Sequence, residues 1–129
     1  MSDERHDRGK ALLEQINSEG ALRLEEDLRE IAPDMADYVY AFAYGDIYSR
    51  PGLDLRMREL ITVAALTALG NAPAQLASHV EGALNAGCSR EEVREAIIQI
   101  AVYAGFPAAL NGLYTARDVF RRLDQKSKL

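Results

Sequence analysis

Apolar residues recur at three- and four-residue intervals along most of this 129-residue chain, the spacing that gathers side chains on one face of a helix. No stretch keeps the two-residue alternation of a strand, and no hairpin turn joins β-branched runs. The pattern predicts an all-α fold. Residues 3–17 read as a polar helix with a narrow stripe of Leu12, Leu13 and Ile16, ended by Ser18-Glu19-Gly20. A second short helix, 21–31, carries Leu22, Leu28 and Ile31 before Pro33 stops it. From Asp34, placed to cap free amides, Met35, Tyr38, Val39 and Phe42 define a third amphipathic helix that closes at Tyr44-Gly45.

The helix predicted over 55–69 follows Asp54, a plausible N-cap. Its apolar positions Leu60, Val63, Ala64, Ala65, Leu66 and Leu69 nearly encircle it, which predicts a central place in the core. Pro73 suits the first turn of the next helix, where a missing amide costs nothing, and Gly87 suits its left-handed cap. Ser89-Arg90-Glu91-Glu92 has the spacing of a capping box. The helix it starts runs to about Ala104 with two apolar faces, one through Val93, Ile97 and Ile100 and one through Ile98 and Val102. A small domain rarely has core enough for both, so the second is expected to meet another subunit. Gly105-Phe106-Pro107 breaks the chain, and a last helix presents Ala109, Leu113, Ala116 and Phe120. This length suits a single domain, with 1–32 as a helical arm, 33–122 as the core and 123–129 as a frayed tail.

Composition narrows the partners. The net charge is -5 and no Lys/Arg run forms the footprint that nucleic acid or an anionic membrane requires. The charged start, MSDERHDRGK, lacks the apolar core of a secretory signal, and the longest apolar run, 100–110, is broken by Gly105 and Pro107. A cytoplasmic protein with no membrane or nucleic-acid partner is expected. One cysteine excludes an internal disulfide, and two distant histidines are poor metal ligands.

Among groups able to do chemistry, His79 lies beside the stripe Leu76, Val80, Ala83 and Leu84, at the edge of a buried face, where it suits either proton transfer or the place of a core histidine satisfied by a backbone carbonyl. Imidazole is the side chain that ordinarily titrates near neutrality, so a partly buried copy opposite a carboxylate can exchange protons. Glu59 shares a face with Thr62 and Leu66 and needs a cationic or protic partner if buried; solvent exposure is its default. The segment from Asp46 to Gly52 concentrates an acid, a phenol and a guanidinium in Asp46, Tyr48 and Arg50, and equally suits a helix C-terminus with Arg50 against the dipole. His6, among charged neighbours, is expected on the solvated surface. Cys88 has no second thiol or adjacent histidine and is expected to be inert. No phosphate loop or Ser-His-Asp order is present.

Four ordered blocks carry a more specific likeness: Tyr44-Gly45-Asp46-Ile47-Tyr48-Ser49-Arg50-Pro51-Gly52-Leu53-Asp54, Arg58-Glu59-Leu60-Ile61-Thr62, His79 ahead of Gly82-Ala83-Leu84-Asn85, and Tyr103-Ala104-Gly105-Phe106-Pro107-Ala108-Ala109. Over roughly residues 30–122 the chain resembles the carboxymuconolactone decarboxylase family. The resemblance implies the alkylhydroperoxidase D-like fold of about six to seven helices, assembled as a homohexamer, a trimer of dimers. In the peroxidase branch a Cys-x-x-Cys pair precedes the family histidine; Ala72 and Gln75 stand at those positions here, so disulfide-linked peroxide reduction lacks its electron carrier. The decarboxylase branch keeps the histidine without the cysteines. It implies loss of carbon dioxide from a carboxylated unsaturated lactone, with no cofactor and no metal. His79 would be the proton donor, with Glu59 as a second catalytic group. Arg50 or Arg58 would hold the substrate carboxylate, and Tyr48 and Asp46 would complete the binding set. Tyr44 and Tyr48 replace aromatic tryptophans of that branch, which leaves as alternatives a non-catalytic helical oligomer or small-ligand binder and, more distantly, a thiol peroxidase.

Overall fold

The computed structural model describes residues 3–128. Among them the chain is helix and turn, with no strand, and no helix is long and apolar enough to cross a membrane. It forms two compact units, the first ending at Leu55 and the second beginning at Arg56.

In the first unit, helix α1 (Glu4–Leu28) starts where the Asp3 carboxylate accepts a hydrogen bond from the His6 amide, 2.8 Å. The expected break falls at Asn17 instead of 18–20. Asn17 leaves helical geometry at φ -157°, ψ 85°, and its side-chain oxygen accepts from the Gly20 amide at 2.9 Å, so it caps the second half of the helix. The turn after Leu28 leads to α2 (Pro33–Tyr38), preceded by Ala32, with no side-chain cap from Asp34. Helix α2 does not close at Tyr44-Gly45: it widens into a π-helical segment, Val39–Tyr48.

The face buried here also differs from the expected one. Ala36, Tyr40 and Tyr44 pack with Leu13, Ile16 and Ala21 of α1, while Met35, Tyr38 and Phe42 stay exposed, as do Leu22 and Ile31. Two glycines select that face. A Cβ on Gly9 would collide with the Tyr40 carbonyl and lie 2.7 Å from the Gly45 amide nitrogen, and a Cβ on Gly45 would collide with the Arg5 carbonyl. The helices therefore meet backbone to backbone along 40–45, which draws in Tyr40 and Tyr44 and leaves the bulkier stripe outside. The Tyr40 hydroxyl donates to Glu25 at 2.7 Å. Burial and that acid push the phenol well above its usual range, and the same bond, with Lys10, holds the Glu25 carboxyl below its own.

His6 is buried rather than solvated. Its ring meets Tyr40 edge-on at 5.3 Å, with Nε2 3.0 Å from Asp37 and Nδ1 3.2 Å from Asp7. Charged neighbours in sequence did not imply exposure, because the partner acid lies 31 residues away on α2.

The second unit comprises α3 (Leu55–Leu69), α4 (Pro73–Asn85), α5 (Arg90–Ala104) and α6 (Phe106–Ser127). Pro73 sits in the first turn of α4, and the capping box is complete, with Ser89 and Glu92 bonded reciprocally at 2.9 and 3.0 Å. Gly105 joins α5 to α6 at φ +93°, a conformation that favours glycine. Val63, Val80, Val93, Ile97 and Ala116 form the buried centre, each Val or Ile contributing roughly 1.5–3 kcal/mol of burial. Helix α3 is less central than its apolar circumference suggests. Only the stripe Glu59, Val63, Thr67 is buried, and Ile61 and Leu69 remain exposed. Helix α6 continues to Ser127, through the segment expected to fray, with Leu123 packed against the core.

Candidate active site at Glu59 and His79

The core stripe of α3 begins with an acid. Glu59 precedes Val63 by one helical turn and is fully buried, against the exposure expected for a lone carboxylate. Its partner explains the difference. On α4 the stripe Leu76, Val80 and Ala83 is buried and carries His79 at its margin, with the imidazole 21% exposed. Nδ1 lies 2.9 Å from Glu59 Oε2. An ionised carboxylate only accepts hydrogen bonds, so Nδ1 carries the hydrogen against it and Nε2 is the ring atom free for other work. Glu59 Oε1 is buried with no hydrogen-bond partner among the described residues. On the same helix, Thr67 donates to the Val63 carbonyl and Thr62 to the Arg58 carbonyl, both at 2.8 Å. The pair thus has one fixed contact, one carboxylate oxygen that needs a donor, and an imidazole edge open to solvent.

The other expected site residues divide between the units. Arg58 adjoins Glu59 on α3, half-buried. In the first unit, Tyr48 ends the π-helical segment with its ring against Tyr44, centroids 4.9 Å apart, and the Ser49 hydroxyl donates to the Tyr44 carbonyl at 2.7 Å. Arg50 follows in an exposed turn, its amide donating to the Ile47 carbonyl. Asp46 is engaged within its own unit: Arg5 donates to both carboxylate oxygens, the shortest contact 2.6 Å, and this pair holds the Asp46 carboxyl below its ordinary range.

Ala72 and Gln75, where a thiol pair would stand, lie at the start of α4. Cys88 is buried, its Sγ 3.4 Å from the Arg56 carbonyl, and burial pushes the thiol above its usual range. A second buried acid, Glu81, plays a different part, since Arg122 meets it at 2.9 Å and ties α6 to α4. Sequence reasoning missed Arg5 and Arg8 entirely. Their partners lie 41 and 37 residues away, and the only signal in the sequence was an arginine pair three apart on one helix face.

The profile of the carboxymuconolactone decarboxylase family matches residues 33–118, and the chain belongs to that family. It is 36% identical over 98 residues to 4-carboxymuconolactone decarboxylase of Acinetobacter baylyi, covering 76% of this chain and 72% of that protein. It is 29% identical to nitrosuccinic acid decarboxylase npaB of Metarhizium robertsii, over 84% and 78% of the two chains. A 15.0 kDa protein of Paracoccus denitrificans, uncharacterized in function, is 31% identical over 77% and 75%. Within the family this member lacks the Cys-x-x-Cys pair, since it has one cysteine.

Proposed function

We propose that this protein is a cofactor-independent decarboxylase of a carboxylated unsaturated lactone of the 4-carboxymuconolactone kind, with His79 as proton donor and Glu59 as the acid that holds it. The observation that carries the reading is the 2.9 Å bond between a fully buried carboxylate and a partly open imidazole. In the reaction the bond to the carboxylate breaks, carbon dioxide leaves, and the electron pair spreads through the ring alkene to the lactone carbonyl. A proton must then reach carbon. With Nδ1 turned to Glu59, that proton comes from Nε2 of the imidazolium. The neutral ring left behind keeps its hydrogen on Nδ1, so the Glu59 contact survives the transfer. Arg58 and Arg50 are the proposed carboxylate anchors, and Tyr48 the proposed donor to the developing oxyanion.

The two named relatives are decarboxylases, one of 4-carboxymuconolactone and the other of nitrosuccinic acid. Both compounds belong in the assay. Purified protein incubated with 4-carboxymuconolactone is followed by absorbance, and with nitrosuccinate by carbon dioxide release. Turnover that disappears in His79→Ala supports the reading; no turnover of either compound by wild type, or equal rates in the variant, defeats it.

We propose also that copies of the chain associate, as a trimer of dimers, through the apolar faces that each leaves exposed. Val102 is 76% exposed, beside Ile98, Tyr103 and Phe106 on and after α5. A groove of about 220 Å³ between α3 and α5 is lined by Met57, Ile61, Ala96 and Ile100. Large apolar side chains exposed side by side in this way favour contact with another protein surface.

A further inference from the structure

The N-terminal arm lies outside the residues matched to the family, yet its polar side chains converge on the first family block. Arg5 takes both oxygens of Asp46. One turn on, the Arg8 Nε donates to the Gly45 carbonyl at 3.0 Å, with Nη2 3.9 Å from Asp46. One residue further, Gly9 lets the α1 backbone reach Tyr40 and Gly45. Positions 5, 8 and 9 share one helix face, and all three bear on the turn from Tyr40 to Asp46.

That turn is unusual in itself. A π-helix rarely extends beyond a single turn and marks functional positions when it occurs, whereas Val39–Tyr48 holds the geometry over ten residues. The segment carries Tyr44 and Tyr48 and leads directly into Arg50. An exposed arginine–carboxylate pair contributes little to global stability. Its effect here is local, because a two-pronged guanidinium contact fixes orientation as well as distance.

We propose that Arg5 and Arg8 are positioning residues. Acting through Asp46 and Gly45, they hold the π-helical turn so that Tyr48 and Arg50 are presented for substrate binding, and Asp46 serves this latch instead of touching substrate. The substrate role rests on the decarboxylase reading above; the latch itself does not.

Two measurements on the full chain separate these claims. Amide hydrogen exchange compares wild type with Arg5→Ala, Arg5→Lys, Arg8→Ala and Asp46→Asn. Exchange over Val39–Tyr48 is expected to speed up by about tenfold in Arg5→Ala, less in Arg5→Lys, and to stay unchanged from Arg56 onward. Steady-state kinetics on the lactone are expected to give a KM raised about five- to tenfold in Arg5→Ala, with kcat within about twofold. Arg5→Lys should restore part of the loss, and the double variant Arg5→Ala/Asp46→Asn should be no worse than either single one. Unchanged exchange over the π-helical segment overturns the latch. Faster exchange with an unchanged KM overturns the positioning role. If wild type turns over neither substrate, the decarboxylase reading and the substrate role fall together, and exchange still decides the latch.

Discussion

Glu59 holds His79 through one carboxylate oxygen and keeps the other buried without a partner among the described residues. Leaving such an oxygen unsatisfied costs about 1–3 kcal/mol, so the acid is poor material for a purely structural role. Apolar replacements of buried ionic groups are often neutral or stabilising, and His79, partly open to solvent, tolerates losing its partner. Glu59→Leu is therefore expected to unfold at equal or higher denaturant concentration than wild type while losing turnover by roughly a hundredfold or more. Glu59→Gln keeps an acceptor for Nδ1 but not the charge, and should fall between the two in rate. Paired chemical denaturation and initial-rate measurements check this; a Glu59→Leu protein that is both less stable and fully active would reverse the assignment.

The approach of the Gly9 backbone to Tyr40 and Gly45 leaves no room for one added carbon. Overpacking at a well-filled contact costs about 1–3 kcal/mol, and here the obstacle is backbone, which cannot rotate aside. Gly9→Ala should therefore lower stability by at least about 2 kcal/mol. Gly52→Ala, where a Cβ meets nothing, is the matched control and should stay near wild type in the same denaturation series.

Much of the second unit was legible in local chemistry. Ser89 and Glu92, Pro73 and Gly87 act within a few residues of themselves, so spacing alone identifies their roles. What spacing could not reveal is which face of an apolar helix meets another. Met35, Tyr38 and Phe42 form a better hydrophobic stripe than Ala36, Tyr40 and Tyr44, but two glycines on different helices decide the contact. The π-helical widening is invisible for a related reason: inserting one residue into a turn shifts the register without changing composition. The exposure expected for Glu59 and for His6 failed alike, since each is buried by a partner at least 20 residues away. His79 was legible because its stripe is local; Glu59 was named beside it through the family resemblance, while spacing alone left it exposed and without its partner.

Among the described residues, four carboxyls are held below their ordinary range. Glu25 is lowered chiefly by the Tyr40 hydroxyl, Asp46 by Arg5, Glu92 by the Ser89 backbone with Arg56, and Asp124 by Arg90. A group whose folded value lies below its unfolded one stabilises the fold above the unfolded value and loses that contribution as pH falls through the folded value. Stability from these groups should thus be level from about pH 7 to about pH 5 and decline below about pH 4. Denaturation midpoints across that series check the sign; stability rising as pH falls below about pH 4 would contradict it.

Cys88 is expected to remain unmodified by iodoacetamide in the native protein near neutrality, because burial both hinders access and disfavours the thiolate. Mass spectrometry should find it alkylated quickly only in denaturant. Cys88→Ser should leave decarboxylation unchanged, and a rate that collapsed in this variant would return the thiol to the mechanism.

The exposed apolar face of α5 and the start of α6 offers the last test. Ile98, Val102, Tyr103 and Phe106 together present a surface that water disfavours, and a charge at its centre would have to be desolvated for copies to pair. Val102→Asp changes nothing buried within the chain, so helix content and the Glu59–His79 contact should persist. Light scattering should then report a smaller assembly than wild type. A wild-type mass equal to one chain would defeat the assembly proposal, whereas an unaltered large mass in Val102→Asp would move the interface to another face.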